Sequence, residues 1–446
     1  MKKTILFLLI SVILISTVSA QKLLDIYKNG PVKLIADKTY GEKNNWEALF
    51  NLYYDTITQN VGREWNKRIV VAPDGSIFMS HKNRHEIWKF GPDGTFIKKF
   101  GSKGSKPGQF VNMPIVYPVA ENKYVFTSDN GGRVNFFDLN GNYIKTINLK
   151  YMPMAFQPVG NDHILLLGYT GWKTKSRNMV IRLNISSGKE EIIYDYFTDY
   201  AKQLTIDNID SIINVNKGKY NFRIPGGFTT FRGSFNTDNY DDFKFLPGGK
   251  FIRSDSKSGE YTVFNPDGKE LLKARMEIEP VKITEADVQQ YYEMMKSYTV
   301  SAIKNYNEMI DPNSSMRKHN PDWSPAPIER YIKINQKWLD NIDIYRDIKN
   351  YYPYFPYFSN IISDDEGNLL VFEYTNTDQK GSNKFNVIAY DTNGQKLART
   401  SFTCDDYDLS FSGSTFVISK GYAYAVAKLK NTTGMPLRLV KFKITN

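Results

Sequence analysis

A tight turn that recurs at a fixed interval constrains this chain more than any other feature. "PDG" at 92–94, "LNG" at 139–141 and "SSG" at 186–188 place Asp93, Asn140 and Ser187 47 residues apart each time. Two further turns, "PDG" at 266–268 and "TNG" at 392–394, follow at intervals of 80 and 126, as expected if units of similar size had gained inserted segments. Each turn is flanked by strand-like runs, which is a hairpin signal. A second series lies upstream in each unit: "APDGSIF" 72–78, "AENKYVF" 120–126, "VGNDHILL" 159–166, "LPGGKFI" 246–252, "DEGNLLVF" 365–372 and "SKGYAYAV" 419–426. Each unit therefore reads strand, turn, strand, loop, strand, turn, strand. Four-stranded units at this period predict the blades of a β-propeller.

Six blades are expected, at about 66–101, 115–150, 154–197, 240–277, 357–402 and 408–446. The last lacks a fourth strand, because its third, "PLRLVKFKI" 436–444, runs to the end of the sequence. "PVKLIAD" 31–37 can supply the missing strand; pairing the two ends closes the ring and removes both open sheet edges. "FGPDGTFIKKFGSKGSKPGQF" 90–110 resembles the NHL repeat, and "SDNGGRVNFFDLNGNYIKTI" 128–147 resembles the repeat's D-x-x-x-R-V core. The match is sharp over the first two units, partial in the fourth and weak elsewhere. The resemblance implies an all-β, six-bladed propeller of the exported bacterial type. That family holds binding scaffolds as well as enzymes, so the fold leaves function open.

The N-terminus reads "MKKTILFLLISVILISTVSAQK": two lysines, an apolar run from Ile5 to Ile15, then small residues ending at Ala20. This is the pattern of a secretory signal peptide over residues 1–20, with the propeller over 21–446. A periplasmic or extracellular protein is expected, with no transmembrane segment after cleavage. The net charge of +11 becomes +9 once Lys2 and Lys3 are removed. That surplus favours anionic partners over nucleic acid, given export. Cys404 is the only cysteine, so no internal disulfide can form, and it reads as a small buried residue.

The long links, 42–65, 102–114, 198–239 and 278–356, join blade to blade, and "YTGWKTKSRN" 169–178 reads as a loop within the third blade. Both connection types open on one face of a propeller, where binding residues are expected. Within 278–356, Thr284 and Asp287 have the spacing of a capping box, and apolar stripes predict helices over 284–310 and 326–350. This helical hairpin is expected between blades four and five. "YYPYFPYF" 351–358 then supplies an aromatic wall. Trp172, Arg177, Tyr352, Tyr354 and Tyr357 are the expected ligand-binding residues. Aromatic rings beside a guanidinium suit a glycan, a small anionic ligand or an envelope protein.

No catalytic constellation emerges: there is no serine elbow and no glycine-rich phosphate loop. His81 and His85 lie in "SHKNRHEIW", where four-residue spacing in a loop does not define a ligand pair; with Asp129 they are the metal candidates, for zinc or calcium. No resident cofactor is expected. The leading expectation is an exported, non-enzymatic binding protein. Two alternatives are a metal-dependent hydrolase or lyase at the channel mouth, and a carbohydrate-binding component of a glycan-uptake system.

Overall fold

In a computed structural model, the described residues are 22–50, 54–55, 60–61, 69–81, 85–112, 114–120, 123–128, 132–160, 162–170, 175–199, 241–256, 258–313, 326–350, 353–374, 384–391, 393–409 and 415–446. The signal-peptide reading of residues 1–20 lies outside them. Alternating apolar and polar residues between tight turns produce four four-stranded antiparallel sheets, at 69–100, 115–148, 152–199 and 241–275. A nine-stranded sheet follows. It begins with four consecutive strands spanning 358–403, and the last of these, Lys396–Thr403, is joined in parallel by Val32–Ala36. Val32–Ala36 then pairs antiparallel with Leu437–Thr445, setting Leu34 opposite Ile444 and Ile35 opposite Lys443. The two ends of the sequence thus meet in one sheet.

The first strands of successive sheets are neighbours: Ile69–Val71 lies beside Ile115–Ala120, which lies beside Met152–Val159, then Asp241–Phe245, then Phe358–Ser363. Phe416–Ser419 returns to Ile69–Val71. The core follows the same path. Val70, Phe78 and Phe100 pack with Val116 and Phe137 across the first two sheets. Tyr424, Leu437 and Leu439 close the circuit against Ile69, Trp88 and Phe90. Small antiparallel sheets stacked face to face in chain order are the organisation of a β-propeller.

At three joints the repeated turn locks a sheet to the one before it, through Gly141, Gly268 and Gly394. Gly94, Gly141, Gly268 and Gly394 each donate an N–H to the carbonyl three residues back, at 2.9–3.1 Å, with φ between 77° and 81°. Only glycine adopts that conformation cheaply, and here it also permits contact. A Cβ on Gly141 would lie 2.5 Å from the ring of Phe100 in the preceding sheet; Gly394 abuts Leu272 in the same way. Side chains of one sheet donate to turn carbonyls of the next: Lys89 Nζ to Leu139 at 2.9 Å, Arg182 Nη2 to Pro266 at 2.8 Å and Tyr261 Oη to Gly394 at 3.2 Å. Just beyond each turn the outermost strand slips by one residue, leaving Ile97, Ile144, Ile193, Leu271 and Leu397 without a ladder partner. Such bulges spoil an outer edge for further pairing.

Between the sheet at 241–275 and the strands from 358 lie two packed helices, Glu285–Ile310 and Ala326–Asp340. Thr284 and Asp287 form a reciprocal capping box at the start of the first. Tyr292, Met295, Ile334 and Trp338 form their shared core. The expected second helix, 326–350, stops at Asp340, where Asn341 turns its amide back to the carbonyl of Lys337 at 2.8 Å; short 3-10 turns follow. A short helix that the sequence reading did not include, Leu23–Lys28, docks on the turn at 364–368. There the buried Asp364 accepts from Tyr27 Oη at 3.1 Å, from the Glu366 and Asn368 backbone N–H groups at 3.0 and 2.8 Å, and from Asn368 Nδ2 at 2.8 Å.

Two predictions follow from this packing. Gly141→Ala is expected to cost roughly 2–4 kcal/mol, combining left-handed strain with the collision at Phe100. Gly188→Ala, also at positive φ (71°) but facing nothing within 4 Å, is expected to cost only about 1 kcal/mol. Urea unfolding compares them, and equal losses would refute the seating role. Burial pushes the Asp364 carboxyl up to about 6, outweighing the hydrogen bonds it accepts. The folded state therefore holds this proton more tightly than the unfolded chain. Its stabilisation is complete below about pH 4 and lost as pH rises through about 6. Asp364→Asn is expected to flatten the fall in Tm between pH 4 and 7; parallel Tm profiles would contradict this.

Candidate functional site

The joint between the 241–275 sheet and the 358–403 strands carries a recess lined by charged side chains. It is built on the turn seat just described: Gly394 rests on Leu272, and burial pushes the Tyr261 phenol up to about 12, so it stays a neutral donor to the Gly394 carbonyl. After the outer strand Glu270–Arg275, the chain runs through Met276–Pro280 along the neighbouring outer strand, Lys396–Thr403. Two contacts fix the start of this path, Met276 N–H to the Gly259 carbonyl at 2.9 Å and Glu277 N–H to Tyr390 Oη at 2.9 Å, and Tyr357 N–H donates to the Ser256 carbonyl at 2.7 Å beside it.

The helical segment is clipped at its base. Ile283 donates to the Pro353 carbonyl at 3.0 Å and Phe355 to the Val281 carbonyl at 2.8 Å, around an antiparallel bridge between Lys282 and Tyr354. Phe355 stacks on Tyr374, with centroids 5.1 Å apart and an 18° interplanar angle. The clip holds Tyr357 against Gly259, where φ is 70° and a Cβ would lie 2.9 Å from the ring.

The resulting groove has a volume of about 600 Å³. Arg275, Lys396 and Arg399 line it, with Glu277, Glu279 and Tyr357. Arg275 lies over the Tyr357 ring, 5.0 Å from its centroid, and donates to the phenol oxygen. Lys396 meets Glu277 at 3.1 Å. Arg399 Nη2 meets Glu373 Oε1 at 2.6 Å; the Glu373 side chain is only 8% exposed, while that of Arg399 is 53% exposed. Buried Glu373 thus holds one end of a guanidinium whose other edge stays in solvent. The exposed ion pairs contribute little to stability, but they orient charge at the groove wall. The volume suits a small ligand, and the lining suits one that carries charge and hydrogen-bonding groups.

The expected site residues fall in several places. Tyr357 lines the groove and is 7% exposed, so it packs against Arg275 and Gly259. Tyr354 is 46% exposed at the clip. Arg177 lies on the strand Lys175–Asn184, paired opposite Thr170, and not in a loop. The strands of its sheet extend through most of the segment read as 169–178. Its guanidinium binds Asp195 on the next strand at 2.6 and 2.8 Å. Trp172, Tyr352 and Asp129 lie outside the described residues. His81 closes the strand Ile77–His81, and His85 follows at φ 55°. Among the described residues no group of three or more His, Cys, Asp or Glu side chains is placed to hold a metal. No described helix is long and apolar enough to cross a membrane.

The sequence reading did not include Arg275, Lys396 or Arg399. Each follows a repeated turn glycine by a few residues, in "GKELLKAR" and "GQKLARTS", but so do the lysines of "GTFIKKF". Only the route of 276–280 across the joint distinguishes them.

No family model matches the chain, and no curated protein matches it. Among solved structures, a putative exported protein from Bacteroides fragilis is 11% identical, with 84% of this chain and 89% of that one covered and a TM-score of 0.42. A member of the DUF4221 family from Bacteroides vulgatus is also 11% identical, covering 94% and 100%, with a TM-score of 0.43. BamB from Moraxella catarrhalis is 9% identical, covering 84% of each chain, with a TM-score of 0.30.

Proposed function

We propose that this chain is an exported bacterial binding protein without catalytic activity, built as a six-bladed, NHL-like propeller. The sheet order supports six blades: the four separate sheets, the 358–403 strands, and the 407–445 strands completed by Val32–Ala36. On this reading the 278–356 segment is an insertion between blades four and five, residues 1–20 are a signal peptide, and the site of action is the periplasm or the exterior.

The observation that carries the functional reading is the groove at the foot of the helices. Its walls come from two blades and the insertion, and its charged side chains are held in place by partners on the walls. A rigid recess with oriented donors and acceptors recognises a ligand without needing a reactive group. Tyr354, exposed at the clip, extends the contact surface towards a larger partner such as an envelope protein or a glycan.

A thermal-shift screen of small anions, peptides and glycans tests this reading. Lys396→Ala removes one groove cation and only a partly exposed ion pair, so its own fold cost is expected to stay within about 1 kcal/mol. At least one ligand class should raise the Tm of the parent protein by several degrees, with most of that shift lost in the variant. Ligands that stabilise both proteins equally would sink the assignment to this groove.

A further inference from the structure

We infer that the groove recognises a polyhydroxylated carboxylate, a sugar acid presented alone or within a short glycan. This rests on the binding reading above and adds the chemistry of the ligand. Two guanidinium groups stand on different elements: Arg275 at the end of its outer strand and Arg399 on the neighbouring outer strand, both lining the same recess. Each is already oriented from one side, Arg275 Nη2 by Tyr357 and Arg399 Nη2 by Glu373. A guanidinium has five N–H donors in a planar fork, so each retains donors matched to a carboxylate. Tethering from one side lowers the entropy lost when the other side binds.

The remaining lining narrows the class. Glu277 and Glu279 place carboxylate acceptors in the same groove as the three cations. A bare dianion such as sulfate would meet these acids with no donor to offer them. A sugar acid carries both functions: its carboxylate answers the guanidinium groups, and its hydroxyls donate to the glutamates and to backbone carbonyls along 276–280. The apolar part of the lining is small, limited to Met276, Ile278, Pro280 and the edge of Tyr357, which disfavours a lipid or a hydrophobic peptide anchor. A volume of about 600 Å³ holds more than a single hexose ring, so a short oligomer fits.

Isothermal titration calorimetry with trigalacturonate, the matching neutral galactose trimer, citrate and an Asp-rich hexapeptide tests the inference on the full mature chain. The uronate trimer should bind at least tenfold more tightly than the other three. Arg275→Gln should weaken it at least tenfold. Arg399→Gln alone would strand the buried Glu373 carboxylate, so the paired variant Arg399→Gln, Glu373→Gln is used; it should fold and show the same loss. Citrate or the peptide binding as tightly as the uronate would overturn the sugar-acid assignment, as would unchanged uronate binding in both variants. Binding of the neutral trimer alone, lost in Lys396→Ala, would end this inference while leaving the binding groove in place. If no probe binds the parent protein, the inference fails, and the wider screen decides the binding reading separately.

Discussion

At three joints of this protein a glycine turn, carrying Gly141, Gly268 or Gly394, is pressed onto the preceding sheet, and the stacking of the sheets depends on that contact. Antiparallel sheets of four short strands are marginal by themselves, and burying both faces against neighbours makes them stable. Face-to-face packing needs a stop that fixes how far one sheet slides over the next. The turn glycines supply it: with no Cβ, Gly141 approaches Phe100, and Gly394 approaches Leu272 and the Tyr261 hydroxyl. The hydrogen bonds from Lys89, Arg182 and Tyr261 into turn carbonyls fix the same joints from the side.

The groove is a local variation on that joint. Between the 241–275 sheet and the 358–403 strands the usual seat is present, but the chain leaving the outer strand crosses the gap instead of passing directly to the next sheet. The clip at 281–283 and 353–355 returns the helical segment to its starting point, so the segment leaves the joint intact. Charged side chains of the two outer strands and of 276–280 line the gap between them. The groove thus rests on a detour in the chain laid over a repeated packing device.

The repeat was legible in the sequence because its turns require particular residues at particular places. The 47-residue spacing of Asp93, Asn140 and Ser187 located three sheets, and the unmatched strand at 436–444 pointed to 31–37 as its partner. The pairing of Leu34 with Ile444 follows that expectation. Thr284 and Asp287 marked a helix start for a local reason that needs no tertiary context. The groove was not legible. Tyr357 is one of many aromatics in its segment, and its partner Arg275 lies 82 residues away across a helical segment. The segment around Arg177 reads as a loop because the strands there run longer than those of the other sheets, with Arg177 paired to Thr170 on one side and Phe197 on the other. Long-range partners of this kind leave no periodic trace.

Val32–Ala36 and Leu437–Thr445 close the stack of sheets from the two ends of the sequence, and a designed disulfide tests that closure most directly. Ile35 and Lys443 face each other in the antiparallel pair, within the Cα separation a disulfide spans. In a Cys404→Ser background, Ile35→Cys with Lys443→Cys should oxidise nearly completely in the native state and raise the Tm. The offset pair Ile35→Cys with Lys441→Cys should cross-link far less. Failure of the first pair to cross-link, or equal cross-linking of both, would contradict a ring closed in this register.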